Sequence, residues 1–236
     1  MAKDAPPSVL GLRGIALLEG VPEARLEALA RRCAWRRYDA GQHIISREGP
    51  DRDVYLLVAG RVRITIYSAS GRQVTFRDER AGAILGDVSA LDGRPRSADA
   101  VALESVLAAS LPPGAFRELL REEPALAERE LRRLAGLIRG LSERVIELST
   151  LGVQNRIHAE LLRLAREAGV EENRARIDPA PRHADVASQV STYREQVTRE
   201  LSALAKRGIV AKDGTALIVP DVERLARMVR DVRLAE

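Results

Sequence analysis

The sequence predicts an α+β chain in three parts: an antiparallel β-sandwich or barrel, a long helix with a heptad seam, and a helical unit closing on a β-hairpin. Three observations carry that reading. Gly49, Gly60, Gly71, Gly82 and Gly93 recur every eleven residues among short β-type runs. Leu131, Leu134, Ile138, Leu141, Val145 and Leu148 follow at steps of three, four, three, four and three. Helical apolar spacing over residues 182–207 is followed by Asp213-Gly214 between two β-type runs.

Composition sets the bounds. A chain of 236 residues has room for one large or two small domains and a real core. No stretch reaches the ~18 apolar residues of a membrane span, and the N-terminus lacks a signal-peptide pattern, so a cytoplasmic protein without membrane partners is expected. Cys33 is alone, which leaves no internal disulfide, thiolate metal cluster or iron–sulfur centre to this chain. His43, His158 and His183 are scattered and show no zinc spacing; no metal or haem is expected. A net charge of +4 with 31% charged residues permits nucleic-acid binding without arguing for it. The case must rest on motifs.

Residues 16–38 hold two short helical patterns, the second being Glu23–Arg37, opened by Pro22 and carrying Leu26, Leu29 and Ala30. The β-type runs then follow: His43–Ser46, Val54–Val58, Val62–Tyr67 and Val74–Phe76. Val62-Arg63-Ile64-Thr65-Ile66 alternates apolar and polar, the mark of a half-buried antiparallel strand. Turn signals every 8–12 residues suggest a sandwich or barrel. An even spacing also fits a solenoid, but the intervening segments do not repeat in residue type.

The run Leu131–Leu148 keeps a period of 3.5 residues, which holds one narrow stripe toward a partner helix as in a coiled coil. Charged flanks (Glu130, Arg132, Arg133, Arg139, Glu143, Arg144, Glu147) leave that stripe as the only dry surface. A helix packed on its own domain usually carries a wider stripe. A dimer helix joining two different halves is therefore expected.

Leu148–Val153 reads as a hinge, and helical spacing resumes at Asn155 and ends before a polar loop, Glu171–Arg176. Beyond Pro179-Ala180-Pro181, Val186, Ala187 and Val190 face inward from a short helix, and Val197, Leu201 and Leu204 from a second. The spacing is that of a helix-turn-helix. Asp213-Gly214 between Ile209-Val210-Ala211 and Ala216–Val219 is a two-residue hairpin signal, which makes the unit a winged helix. A closing helix is expected over Asp221–Val232.

One stretch narrows the first half: Gly86-Asp87-Val88-Ser89-Ala90-Leu91-Asp92-Gly93-Arg94-Pro95-Arg96-Ser97-Ala98. It resembles the phosphate-binding cassette of cyclic-nucleotide-binding domains: Gly-Glu-x-Ala-Leu, a Gly-containing turn, then Pro-Arg-Ser/Thr/Ala-Ala. Asp53–Gly60 resembles the strand ahead of it, and Gly41 with Ile44 the opening turn. Taken in order, residues 15–220 resemble the cyclic-AMP receptor protein/FNR family of bacterial transcription regulators. The resemblance implies an N-terminal antiparallel β-roll of the double-stranded β-helix (jelly-roll) type over residues 1–123, a coiled-coil dimerisation helix over 124–151, and a winged helix-turn-helix over 152–236.

The resemblance also implies roles. Arg96 would clamp a cyclic phosphate, since a guanidinium fork matches an anion. Ser97 would donate to it, Asp87 would take the ribose hydroxyl, Gly86 would let the backbone approach, and Val88 and Ser89 belong to the same ligand site. Asp87 stands where the family has Glu, about 1.5 Å shorter. Leu141 and Ser142 match positions that contact the base across the dimer. Leu141 lacks the family's hydroxyl, which leaves cAMP and cGMP both open and keeps a ligand-independent or differently gated regulator as the alternative. An enzyme is not supported, because no nucleophile–base pair or metal set is visible.

On the second helix, Tyr193, Arg194, Glu195, Thr198 and Arg199 are placed to enter the major groove. By resemblance, Arg194, Glu195 and Arg199 read a G-T-G-A-like half-site of a palindromic duplex. Glu195 also fits a capping box with Thr192, and Arg194 a phosphate contact. Ser191 occupies the position of the usual turn glycine. A homodimer on double-stranded DNA, with RNA polymerase as a further partner, is the expectation the family supplies.

Overall fold

The structure is a computed structural model and describes residues 2–67 and 73–234. Gly71 of the eleven-residue series lies outside the described residues. Internal contacts divide the chain into two units, Met1–Leu137 and Ile138–Glu236.

The first unit opens with β1 (Lys3–Asp4), α1 (Val9–Arg13), a 3-10 turn (Ala16–Leu18), α2 (Glu23–Arg32), β2 (Ala34–Tyr38) and β3 (His43–Ile45). There follow β4 (Val54–Ala59), β5 (Arg61–Tyr67), β6 (Gln73–Arg80), β7 (Ile84–Leu85), α3 (Asp87–Asp92), β8 (Asp99–Ala102), β9 (Val106–Leu111) and α4 (Pro113–Glu122). The strands make two antiparallel sheets, ordered β1-β2-β9-β4-β7 and β3-β8-β5-β6. Alternation along β4 gives the layering. Leu57 packs with Val62, Ala100 and Ala102 in a core between the sheets. Val54 and Leu56 point the other way, to a second core with Leu12, Leu29 and Phe116 from the helices. Gly60, Gly82 and Gly93 turn with φ of 89°, 98° and 73°, left-handed values that a Cβ disfavours.

Two expectations are corrected here. The helical pattern Glu23–Arg37 ends at Arg32, and Ala34–Tyr38 is a strand paired with β9. Trp35 and Tyr38, three apart, are its buried residues, so its apolar period imitates a helix. The charged flanks of the seam are not all wet. α5 (Pro124–Thr150) buries Leu126 and Glu130 in the first unit and half-buries Arg133.

The second unit contains α6 (Val153–Ala168), β10 (Val170–Glu171), β11 (Arg174–Ile177), α7 (His183–Gln189), α8 (Arg194–Lys206), β12 (Ala211–Asp213), β13 (Ala216–Val219) and α9 (Val222–Leu234). Its sheet runs β10-β11-β13-β12. The expected polar loop Glu171–Arg176 is instead a hairpin, turned by Glu172 and Asn173 at φ of 46° and 62°. The wing turns one residue later than expected: Asp213 pairs with Ala216, so Gly214 and Thr215 are the loop. Ile157, Leu161, Val186, Ala187, Val197, Leu204 and Leu225 form the core. Asn173 caps α9: its carbonyl accepts from Val222 N and its Oδ1 from Glu223 N, while its Nδ2 donates to Asp221 Oδ1. No helix among the described residues is long and apolar enough to cross a membrane.

Candidate ligand cassette and nucleic-acid interface

The cassette folds around two left-handed glycines. Gly86 precedes α3 with φ 80° and Gly93 follows it with φ 73°. A Cβ on Gly86 would lie 2.4 Å from Arg96 Nη1 and 2.8 Å from Asp53 O, so only glycine lets Arg96 and the β4 approach meet there. Arg117 Nη1 donates to Ala90 O, which satisfies a carbonyl in the last turn of α3.

Arg96 is 3% exposed, so its guanidinium lies inside the first unit and not on its surface. Its Nη1 donates to Gly86 O at 2.8 Å; its Nη2 donates to Asp53 O at 2.7 Å and Asp51 Oδ2 at 2.9 Å. Tyr55 Oη also donates to Asp51 Oδ2. The Arg96 Nε–H is buried and unmatched among the described residues. Leaving a buried donor unmade costs about 1–3 kcal/mol, more for a charged group.

Asp87 is buried and paired, a contact that sequence reasoning missed. Arg133 of α5 donates from Nη2 to Asp87 Oδ2 and to Glu130 Oε1, and from Nε to Glu130 Oε2 at 3.0 Å. Two buried carboxyl groups thus share one guanidinium. Burial is the main cause holding the Asp87 carboxyl above its ordinary range; Arg133 opposes it and Glu130 adds to it. The i,i+3 spacing of Glu130 and Arg133 was the available signal. Of the other expected ligand residues, Ser89 is buried in α3, whereas Val88 and Ser97 are exposed. Leu141 and Ser142 belong to the second unit; the Ser142 hydroxyl donates to Ile138 O along its own helix.

In the second unit Tyr193, Arg194, Glu195, Thr198 and Arg199 are all exposed, at the start of α8 or in its first turns. Among the described residues, no hydrogen bond or ion pair engages the side chains of Arg194, Glu195 or Arg199. The capping box is not formed: Tyr193 is the N-cap residue, without a side-chain cap, and Thr192 Oγ1 bonds Gln196 instead. Thr198 is already engaged, donating to Arg194 O at 3.0 Å and meeting His183 Nδ1 at 2.7 Å. Ser191 takes φ 54°, the left-handed turn of a glycine despite its Cβ.

Comparison with known proteins agrees with both halves. Residues 35–123 match the cyclic nucleotide-binding domain, and residues 155–228 the Crp-like helix-turn-helix domain. The chain is 30% identical over 205 residues to the cyclic AMP receptor protein of Thermus thermophilus, covering 84% of this chain and 89% of that one. It is 27% identical over 215 residues to a CRP-like cAMP-activated global transcriptional regulator of Mycobacterium tuberculosis, covering 91% and 96%. The fold is shared with the c-di-GMP-responsive regulator CLP of Xanthomonas campestris at TM-score 0.73 and 18% identity, over 84% of this chain and 99% of that one. A cyclic nucleotide-binding domain, a long helix and a Crp-like helix-turn-helix in this order place the chain in the cyclic-AMP receptor protein/FNR family of transcription regulators.

Proposed function

We propose that the first unit binds a cyclic nucleotide, cAMP or cGMP, at the α3 cassette, and that a homodimer reads palindromic DNA through paired α8 helices. The observation that carries the effector half is Arg96, which stands beside Gly86 and whose buried Nε–H has no acceptor among the described residues. A phosphate oxygen is the acceptor that a guanidinium edge matches. The unengaged side chains of Arg194, Glu195 and Arg199 support the DNA half. Self-association is supported by α5, where Leu131, Ile138 and Val145 stand 66%, 65% and 63% exposed at a/d spacing. Contact with RNA polymerase rests on the family alone.

A second reading keeps the architecture but dispenses with the cyclic nucleotide or replaces it with another effector. It is favoured by the acceptors that Arg96 already has in Gly86, Asp53 and Asp51, and by the pairing of Asp87 with Arg133. Calorimetric titration with cAMP and cGMP separates the two. Micromolar binding of either, lost by about 3–5 kcal/mol in Arg96→Ala, is the expected result. Absence of binding by both nucleotides leaves the second reading.

A further inference from the structure

Among the described residues of the second unit, the buried titratable side chains are His158 and Glu200, which meet where α6 packs on α8. There His158 Nε2 lies 2.6 Å from Glu200 Oε1, and the two residues are 6% and 7% exposed. Glu200 shares the inward face of α8 with Val197 and Leu204, three residues before it and four after, while Arg199 next to it is exposed. His158 stands a turn before Leu161 and Leu162 on α6, both buried.

Stability does not account for such a pair. Desolvating two polar groups costs most of what their attraction returns, and apolar residues of similar volume are often as stable or more so. Direction is what a polar pair adds. Val197, Leu201 and Leu204 reward burial of the helix face but tolerate small rotations and slides. A ring nitrogen bonded to one carboxylate oxygen does not, just as a buried polar pair fixes register in a coiled coil. A further tie to α8, His183 to Thr198, is exposed, where water competes.

We propose that His158 and Glu200 are positioning residues: their buried bond fixes the rotation of α8 on α6 and so sets how sharply Arg194, Glu195 and Arg199 discriminate between base pairs. The inference rests on α8 being the DNA-reading helix.

The test uses the full chain and duplex DNA recovered by the wild type from a randomised pool, with cAMP or cGMP present. The readout is the ratio of non-specific to specific Kd, with the salt slope of each. Glu200→Gln keeps the shape and the oxygen acceptor, and is expected to hold the ratio within about twofold of wild type. Glu200→Met keeps the length but not the acceptor, and the ratio is expected to fall about tenfold, the worth of one bidentate base contact, with the salt slope unchanged. If Glu200→Met does not fold, His158→Leu/Glu200→Leu takes its place, since it leaves no unpaired polar group. A ratio held by the apolar variants, or lost equally by Glu200→Gln, overturns the proposal, and so does failure of both apolar chains to fold. A wild type that recovers no consensus removes the DNA-reading assignment itself, a different failure.

Discussion

Gly86 and Gly93 flank the same short helix with nearly the same backbone, φ 80° and 73°, which makes them a matched pair for substitution by alanine. At Gly93 a Cβ meets nothing within 4 Å, so Gly93→Ala feels only the backbone. The left-handed conformation costs an alanine about 1–2 kcal/mol, and the stiffer unfolded chain returns about 0.4–1 kcal/mol. The net loss is about 1 kcal/mol. Gly86→Ala carries the same backbone cost and adds contacts at 2.4 Å to Arg96 Nη1, 2.8 Å to Asp53 O and 3.1 Å to Ile45 Cδ1. The Asp53 contact is backbone and cannot swing aside, and Arg96 is held by three acceptors. Overpacking of this kind costs about 1–3 kcal/mol, for a total of about 2–4 kcal/mol. The one tryptophan, Trp35, is buried in β2, so its fluorescence in urea follows the first unit alone. Equal losses for the two variants would refute the packing argument, because the backbone term is common to both.

Three further outcomes follow from the same structure. Ser191→Gly should stabilise the second unit by about 0.5–1 kcal/mol, because the left-handed penalty at φ 54° exceeds the entropy cost of glycine; an unchanged urea midpoint by circular dichroism contradicts it. Burial pushes the Cys33 thiol from 9.0 up to about 12. The neutral thiol is thus favoured in the folded state, so this contribution to stability is whole below pH 9.0 and is lost as pH climbs toward about 12. Iodoacetamide should label Cys33 far more slowly in the native chain than in urea, and equal rates would sink the assignment. Arg199→Ala should relax preference at one base pair by about 1–3 kcal/mol; a uniform loss across sequences with a smaller salt slope would mark a phosphate contact instead.

What the sequence revealed were features with short periods. The a/d seam, the apolar faces of α7 and α8, and the cassette motif are all local, and each is where its spacing puts it. What it hid was decided by partners distant in the chain. Ala34–Tyr38 reads as the tail of a helix until β9, some seventy residues on, supplies its hydrogen bonds. β8 and β9 themselves carry small residues and little alternation, and their identity comes from pairing with β5 and β4. Glu130 and Arg133 look like solvated flanks of the seam, and only the fold brings Asp87 to them. The capping box that Thr192 and Glu195 also fitted is absent for a different reason: the N-cap position falls one residue later, on Tyr193.

The cap that Asn173 gives to α9 has a consequence for the order in which the second unit closes. Val222, Leu225, Ala226 and Val229 fill the core of the second unit, and they follow its other described elements in the chain. The hairpin that caps their helix emerges far earlier and must wait for Asp221, Val222 and Glu223 to arrive. A product cut short by a premature stop or a protease near residue 220 lacks that closing helix and exposes an apolar groove along α6. Synthesis through α9 is therefore a condition for a closed core behind the helix-turn-helix, and chains cut before it disqualify themselves.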